Sequence, residues 1–530
     1  MRWDKPWCSQ ADIAASGKLV FTMGPEPDKD WVRRSHRACH TRVIFTPYIC
    51  TIFTITGKPM TKPLPHGALA LALAAAAALL AGCGTTTDEA SRDDHVKYAW
   101  VVLGDGGKPI ARVATDYATC PNINVDDGET RMQLRAAAGT AAQRTTASAA
   151  ADSKPSSFPL NTCEATLPTT ARLARVGTKF LPLPKAEPQR VLVLADTGCR
   201  LKKADNAFQS CNDTEMWPLA QIAATAAAMK PDLVLHIGDY HYRENACPAD
   251  IAGCKDSPWG YGWDTWEADL FKPAAPLLAA APWIVVRGNH EECARAGQGW
   301  FRLLDTGAYN AARSCDDPAN DAGANYSAPY AVPVGSDTQV IVFDSAKAGR
   351  AALPVTDPQF VAYQKDFKTV ATLAAKARTT SLFVNHHPIL GYAPIAGSAP
   401  AGGNAALLSV AAQVNPSAYY PAGVSLALHG HVHDFQAINF SSNHPATFVS
   451  GNGGDNLDVA LPDPFPAKLP PAPGVTLDRI THSVTFGFMV MDRSGTSWTF
   501  KAYTKAGKLM ATCTQSLNKI ACDKVGFLAG

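Results

Sequence analysis

This sequence lacks the signatures of several common enzyme and binding-protein classes. It has no Gly-x-Ser-x-Gly element, so a serine hydrolase has no support from the sequence. It has no Cys-x-x-Cys pair, which argues against a zinc site built from cysteines. The formal net charge of the 530 residues is +2, so bulk electrostatics does not predict a nucleic-acid partner.

The apolar run at 68–81 is short and alanine-rich for a membrane-spanning helix. It follows Lys62 and ends in Leu80-Ala81-Gly82-Cys83, which resembles a bacterial lipoprotein signal with a lipidated cysteine. An alanine-rich buried helix is the alternative. We predict a signal peptide over 60–82 and an exported envelope protein, periplasmic or surface-facing. Its lipid anchor at Cys83 is then its one predicted membrane contact.

Residues 1–59 precede this predicted signal and show no clear periodicity. A signal peptide normally starts at the first residue, so we predict that translation starts at Met60 and that 1–59 come from a misassigned start. A genuine extension is the alternative. Residues 83–95 are predicted to be the lipidated cysteine and a polar tether.

Ten cysteines follow Cys83, an even number that suits an oxidising compartment. The sequence does not determine their connectivity, and pairing of neighbours is the simplest hypothesis. A role as metal ligands for some of them is the alternative. The neighbouring pairs are Cys120/Cys163, Cys199/Cys211, Cys247/Cys254, Cys293/Cys315 and Cys513/Cys522, the last in a C-terminal tail over 506–530.

The remaining chain divides by pattern into two parts. Residues 96–187 carry short β-rich runs around an Ala/Ser/Thr-rich stretch at about 137–157, which predicts a small β-rich domain with a long loop. From Val191 the pattern alternates strand and helix, with helices predicted over 217–229, 264–280 and 357–377. The later strands, one of which is predicted over 483–492, follow one another without helices. We therefore predict an α/β domain over 188–505 that becomes antiparallel towards its end.

Five polar blocks stand at the ends of apolar runs that read as strands. They combine carboxylates, imidazoles, an amide and a phenol, which together suit two adjacent first-row metal ions. Asp239 follows a glycine at a tight strand exit and is the candidate for a bridging carboxylate. The blocks are Asp196-Thr197-Gly198, Gly238-Asp239-Tyr240-His241-Tyr242, Gly288-Asn289-His290-Glu291, His386-His387-Pro388 and Gly430-His431-Val432-His433.

These blocks resemble the calcineurin-like metallophosphoesterase superfamily, and specifically its purple acid phosphatase branch. The resemblance implies a four-layer α/β/β/α sandwich. Most of the superfamily opens with Asp-x-His, whereas this chain has Gly198 in place of the histidine. In purple acid phosphatases, a tyrosine three residues after the second aspartate takes the vacant place as a phenolate. Tyr242 has that position after Asp239, and a phenolate favours Fe(III).

The resemblance also implies two ligand sets that share Asp239. Fe(III) is expected at the site with the tyrosine, and Fe, Zn or Mn at the other. The family's His-x-Pro pattern favours His386 over its neighbour His387 as the ligand. The first set is Asp196, Asp239, Tyr242 and His433, and the second is Asp239, Asn289, His386 and His431.

The implied reaction is hydrolysis of a small phosphate monoester by attack of a metal-bound hydroxide. His290 is the candidate for protonating the leaving alkoxide or orienting the phosphate, with Glu291 as its partner. His241 and His387 are candidates for substrate contact, and the loops 244–262 and 391–404 are expected to determine substrate choice. Phosphodiesterase or nucleotidase activity at the same site is one alternative. A non-catalytic envelope scaffold is another, although none of the seven predicted ligands is missing.

Overall fold

The computed structural model describes residues 94–144, 147–376, 378–466 and 468–530. All of them belong to one compact unit. The predicted extension, the signal peptide and Cys83 lie outside these described residues, as does nearly all of the predicted tether. Among the helices that the structure describes, none is both long enough and apolar enough to cross a membrane.

The larger of the two main sheets has eleven strands and combines both predicted parts of the chain. Its strands are β1 (Val96–Leu103), β2 (Pro109–Thr115), β5 (Gln133–Ala136), β8 (Asn161–Thr166), β11 (Arg190–Leu194), β14 (Leu233–Ile237), β15 (Trp283–Val286), β23 (Gly487–Ser494), β24 (Ser497–Thr504), β25 (Leu509–Ser516) and β26 (Lys519–Cys522). Their order is β26-β25-β24-β23-β11-β14-β15-β1-β2-β8-β5. Strands β11, β14, β15 and β1 are parallel neighbours, and the other pairs are antiparallel.

The second main sheet has eight strands, in the order β16-β17-β18-β19-β21-β20-β22-β27. They are β16 (Tyr330–Pro333), β17 (Thr338–Val342), β18 (Thr380–Val384), β19 (Leu426–His429), β20 (Phe435–Phe440), β21 (Ala446–Ser450), β22 (Leu477–Ser483) and β27 (Gly526–Phe527). Three small sheets complete the strands. They are formed by β3 (Asn122–Val125), β4 (Gly128–Arg131), β9 (Ala174–Val176) and β10 (Lys179–Phe180), by β6 (Gly139–Ala141) and β7 (Ser156–Phe158), and by β12 (Leu201–Lys202) and β13 (Ala207–Phe208).

The α-helices that the structure describes are α1 (Leu219–Ala228), α2 (Trp263–Trp266), α3 (Ala275–Ala280), α4 (Gly297–Leu303), α5 (Asp321–Ala324), α6 (Pro358–Ala374) and α7 (Ala405–Val414). The start of α6 follows from its sequence. The Asp357 carboxylate accepts the N–H of Gln359 at 2.8 Å, and Pro358 occupies the first turn, where no N–H is needed.

The two main sheets pack face to face and helices cover their outer faces. Because neighbouring residues of a strand point to opposite faces, Val193 packs between the sheets while Leu192 faces the layer that contains α1. In the second sheet, Leu382 faces the first sheet and Phe383 faces α6 and α7. The structure therefore confirms the predicted four-layer α/β/β/α sandwich with antiparallel strands towards its end.

The β-rich segment 96–187 does more than precede the sandwich. Its strands β1, β2, β5 and β8 extend the eleven-stranded sheet, with Val102 of β1 beside Trp283 of β15. The stretch predicted as one long loop at 137–157 is closed by pairing of β6 with β7. The predicted C-terminal tail likewise adds β25 and β26 to the first sheet and β27 to the second.

Two elements that were predicted to be continuous are divided in the structure. The predicted helix over 264–280 is divided into α2, a π-helical turn at Glu267–Phe271, and α3. The turn directs Asp269 into the interior, where its carboxylate accepts the N–H groups of Cys199 at 3.1 Å and Tyr242 at 2.8 Å. The apolar run 483–492, predicted as one strand, is shared by β22 and β23 because the chain crosses from the second sheet to the first there.

Five disulfides join the described cysteines as neighbours. Each pair predicted from proximity in the sequence is present, with Cα–Cα distances of 3.9–5.8 Å. Cys199 follows the first polar block and Cys293 follows the third. The disulfides therefore close loops beside two of the blocks, and none of these ten cysteines is left as a metal ligand.

One buried carboxylate in α6 predicts a pH dependence of stability. Burial, followed by the nearby charge of Asp344, raises the pKa of Asp366 to about 7. The ordinary value is about 4, so the folded chain keeps a proton that the unfolded chain releases. Stability contributed by this group is therefore lost as the pH rises from about 4 to 7.

We expect Asp366→Asn to raise the free energy of unfolding by roughly 1–3 kcal/mol at pH 8 and to change it little at pH 4. The measurement is chemical denaturation of both proteins across this pH range. Asp250→Asn, at an exposed position, is the control and should show no pH-dependent difference. An equal effect of Asp366→Asn at both pH values would contradict the assignment.

Candidate metal centre

The five polar blocks meet where two neighbouring groups of parallel strands end. Asp196, Asp239 and Asn289 follow β11, β14 and β15, which are adjacent in the first sheet. His386 and His431 follow β18 and β19, which are adjacent in the second. Because the sheets are packed together, these two edges bring the side chains to one site, as expected for strand carboxyl ends.

The backbone is unusual at three of these strand exits. Asp196, Asp239 and His431 have positive φ angles of 56°, 55° and 71°. Such left-handed conformations are rare outside glycine and cluster at functional sites. The neighbouring glycines allow close approach, since a Cβ at Gly288 would lie 2.1 Å from Asp239 Oδ1 and one at Gly430 would lie 2.6 Å from Asp196 Oδ2.

The first group of donor atoms surrounds the phenol of Tyr242. Its hydroxyl oxygen lies 2.9 Å from Asp196 Oδ1, 2.9 Å from Asp239 Oδ2 and 3.0 Å from His433 Nε2. A phenol has a single proton and can donate to one of these atoms at a time. The excess of buried lone pairs at this point suits a cation.

The second group of donor atoms surrounds the amide of Asn289. Its Oδ1 lies 3.1 Å from His386 Nε2 and 3.0 Å from His431 Nδ1. His386 Nε2 is also 3.0 Å from Asp239 Oδ2. One donor atom from each of Asp239, His386 and His431 lies within 4.8 Å of the others. Asp239 Oδ2 thus belongs to both groups, as a bridging ligand requires.

Two imidazoles are oriented by backbone carbonyls. The carbonyl of Ile237 is 2.8 Å from His386 Nδ1, and the carbonyl of Asn456 is 2.7 Å from His433 Nδ1. A carbonyl only accepts, so each Nδ1 carries the proton and donates it. Each Nε2 then directs its lone pair to the centre, which is the usual arrangement of metal-binding histidines. The residues therefore fit two metal ions.

The electrostatics of the centre favour positive charge. Burial disfavours a charged His386, but the carboxylates of Asp239 and Asp196 outweigh it and raise the pKa of His386 to about 9. Burial is likewise outweighed at His433, where Asp455 and Asp196 raise the pKa to about 10. Burial and the carboxylates of Asp196 and Asp239 raise the pKa of Tyr242 well above its ordinary value. A phenolate at Tyr242 therefore needs a cation beside it.

Residues 189–435 match the family described as calcineurin-like phosphoesterase. This part of the chain belongs to that family. No curated protein sequence matches the chain. Among solved structures, a purple acid phosphatase from yellow lupin (Lupinus luteus) seeds is 15% identical, with 78% of this chain and 73% of that chain covered and a TM-score of 0.49. PhoD is 11% identical, with coverages of 80% and 91% and a TM-score of 0.49. Both TM-scores lie below 0.5 and both sequence identities are low.

The third block of this phosphoesterase places His290 beside the two donor groups. Its ring lies 3.8 Å from the ring of Tyr242, and His290 Nε2 is 3.9 Å from Asp239 Oδ2. The prediction that Glu291 is the partner of His290 was wrong. The Glu291 carboxylate instead accepts the backbone N–H groups of residues 239, 240, 241 and 288 at 2.9–3.2 Å, and so holds the strand exits in place.

Sequence reasoning missed two residues that contact His290. Glu244 Oε1 lies 3.1 Å from His290 Nδ1, and Arg295 Nη2 lies 2.6 Å from both ring nitrogens of His290. Arg295 also donates to Glu244. Although burial acts in the other direction, Arg295 and His290 hold the pKa of Glu244 well below its usual range. Glu244 is therefore an anion that can orient the imidazole. Its position two residues after Tyr242 was a signal that could have identified it.

The structure also corrects the two predicted substrate contacts. His241 is fully buried and its Nε2 lies 2.9 Å from Thr265 Oγ1. His387 is buried too, with Nδ1 3.2 Å from Ser345 Oγ and its ring 4.2 Å from that of His431. Neither lines the cleft described below. Both side chains pack behind the donor groups because their strand exits turn them into the core.

A cleft of about 860 Å³ opens above the phosphoesterase centre. Its base contains Asp239, Tyr242, Asn289, His290, His431 and His433. The 391–404 loop lines it, as predicted. The 244–262 loop, which was also predicted to determine substrate choice, contributes no lining residue. Its Asn245 instead donates to the carbonyl of Asp152 in the N-terminal segment at 2.9 Å.

Proposed function

We propose that this protein hydrolyses phosphate monoesters with a dinuclear centre of the purple acid phosphatase type. The observation that carries the proposal is the placement of the Tyr242 hydroxyl among Asp196, Asp239 and His433. The chain also has no room for the histidine that the wider superfamily carries at 198. A Cβ at Gly198 would lie 2.8 Å from Tyr240 O and Tyr242 N.

Asp196, Asp239, Tyr242 and His433 would hold Fe(III), and Asp239, Asn289, His386 and His431 would hold Fe, Zn or Mn. Two such ions lower the pKa of water and stabilise the charge of a phosphoryl group. Burial and the Arg295 guanidinium hold the pKa of His290 well below its ordinary value. The phosphoryl group of a bound substrate, an anion, would favour the protonated imidazole, which would then deliver a proton from Nε2 to the oxygen of the leaving alcohol. Glu244 would keep Nδ1 protonated, so that Nε2 remains the nitrogen directed to substrate.

Hydrolysis of phosphodiesters or nucleotides at the same centre is the second candidate. The size of the cleft favours it, because about 860 Å³ leaves room for two ester groups on one phosphorus.

We also propose that the protein is exported and anchored at Cys83. Its five disulfides support this location, because such bonds persist in oxidising compartments.

Metal analysis combined with assays tests the proposed function. The purified protein is expected to contain two metal ions per chain, to be coloured by a phenolate–Fe(III) pair, and to hydrolyse p-nitrophenyl phosphate faster than bis(p-nitrophenyl) phosphate. Tyr242→Phe should lose the colour, because only the phenolate oxygen is removed. A colourless, iron-free protein would contradict the iron assignment. Faster turnover of the diester would favour the second candidate.

A further inference from the structure

One wall of the cleft is a hairpin loop, 391–404, that follows the His386-His387-Pro388 block in the chain. Ala393 and Ala401 exchange two backbone hydrogen bonds of 2.9 Å, which close the loop between them. At its base, the N–H of Gly403 donates to the carbonyl of Pro471 at 3.1 Å and the N–H of Asn404 to that of Pro388 at 2.8 Å. The loop is therefore held in place relative to the metal ligands.

This loop presents an apolar surface to the cleft. Its tip, 394–400, contains no charged residue. Ala393, Pro394, Ile395 and Ala401 line the cleft and are here called the apolar shelf. Ile395 is 47% exposed, although most large apolar side chains of the two main sheets are buried. The apolar side chain of Ile395 cannot bind the charged phosphoryl group that is proposed to sit at the donor atoms, so its exposure in the cleft needs another explanation.

Other parts of the cleft differ from the shelf in charge. Arg200 and Lys202 line another part, but Arg200 pairs with Asp455 and Lys202 lies 3.2 Å from Asp205. The charges of Arg200 and Lys202 are thus already partnered within the protein. Arg350 also lines the cleft, outside the shelf. The polar donor atoms at the base suit the phosphoryl group, whereas a cleft of about 860 Å³ is as large as pockets that hold drug-sized ligands.

We propose that the apolar shelf binds the alcohol part of the substrate, and that the preferred substrates are phosphate monoesters with an extended alkyl or aryl group. This inference rests on the proposed function, because it places the phosphoryl group at the donor atoms below the shelf. Apolar area that the shelf removes from water then contributes to binding. Ile395 is the specificity-determining residue.

Binding of n-alkylphosphonates, which are not hydrolysed, tests the shelf without catalysis. Calorimetry with ethyl-, butyl- and hexylphosphonate should show affinity rising about twofold per methylene, since one-sided contact captures about half of full burial. Ile395→Ser should remove most of the increase, and Ile395→Leu should keep it. Val361→Ser, at an exposed valine of α6 outside the cleft, is the matched control and should keep it too.

Affinity that is independent of chain length, or an equal loss in Val361→Ser, would overturn the proposal. Hydrolysis of ethyl and hexyl phosphate by the unaltered protein separates this result from the proposed function. Absence of hydrolysis together with chain-length-dependent binding would leave the shelf supported and overturn the hydrolase. Hydrolysis together with chain-length-independent binding would overturn the shelf alone.

Discussion

Asp239→Ala is expected to abolish binding of both metal ions and to lower phosphatase activity by roughly three orders of magnitude or more. The reason is that Asp239 Oδ2 belongs to both donor groups, at 2.9 Å from the Tyr242 hydroxyl and 3.0 Å from His386 Nε2. Removing any other predicted ligand disturbs one group alone. Metal content per chain and kcat/KM for p-nitrophenyl phosphate are the measurements.

Asp205→Ala is the matched control for this variant, because Asp205 lines the same cleft but lies outside both donor groups. It should retain two ions per chain. Circular dichroism should show that Asp239→Ala is folded, since the carboxylate also accepts the N–H of His290 at 2.8 Å. A folded Asp239→Ala protein with two ions and full activity would contradict the shared-ligand assignment.

His290→Ala is expected to keep both metal ions and to lose about 10²–10⁴-fold in kcat, the usual contribution of a general acid. The loss should be larger for ethyl phosphate than for p-nitrophenyl phosphate, because an alkoxide needs a proton to leave and a nitrophenolate needs it less. The measurements are kcat for both esters and metal content. A merely structural role of His290 would lower both rates equally.

Glu244→Gln provides a second test of the same assignment. It keeps the shape of the side chain but removes the charge beside His290 Nδ1 and Arg295. It should repeat the leaving-group dependence of His290→Ala with a smaller loss. His95→Ala, at an exposed histidine remote in sequence from the blocks, should change neither ester's rate. Equal rates for His290→Ala and the unaltered protein would exclude the imidazole as the acid.

Elements defined by local pattern were predicted well from the sequence. The start of α6 follows from Asp357 and Pro358, and the five strand exits follow from apolar runs that end in glycine or a polar residue. Continuity was predicted less well. Helical periodicity does not reveal that Asp269 must turn inward to bind the N–H of Tyr242, so the break between α2 and α3 was missed.

Contacts between residues distant in the sequence could not be predicted from local patterns either. Glu291 is next to His290 in the chain, yet Glu244, 46 residues earlier, makes the contact. The short β-runs of 96–187 predicted strands correctly, but whether they form their own sheet or extend another depends on which edge is free. In this protein β1 pairs with the edge of β15, so these strands extend the first sheet.

The sequence by itself determined the chemistry of the centre, because ligand type and position after a strand are local properties. It determined carboxylates, imidazoles, an amide and a phenol at five strand exits, and the glycine at 198. Asp239 as the shared ligand and His386 rather than His387 were also predicted from the sequence. Only the tertiary structure decided which atoms meet, with Asp239 Oδ2 common to both groups and Glu244 rather than Glu291 beside His290. The physical reason is that two separate sheets supply these side chains, and only the packing of one sheet on the other brings their strand ends together.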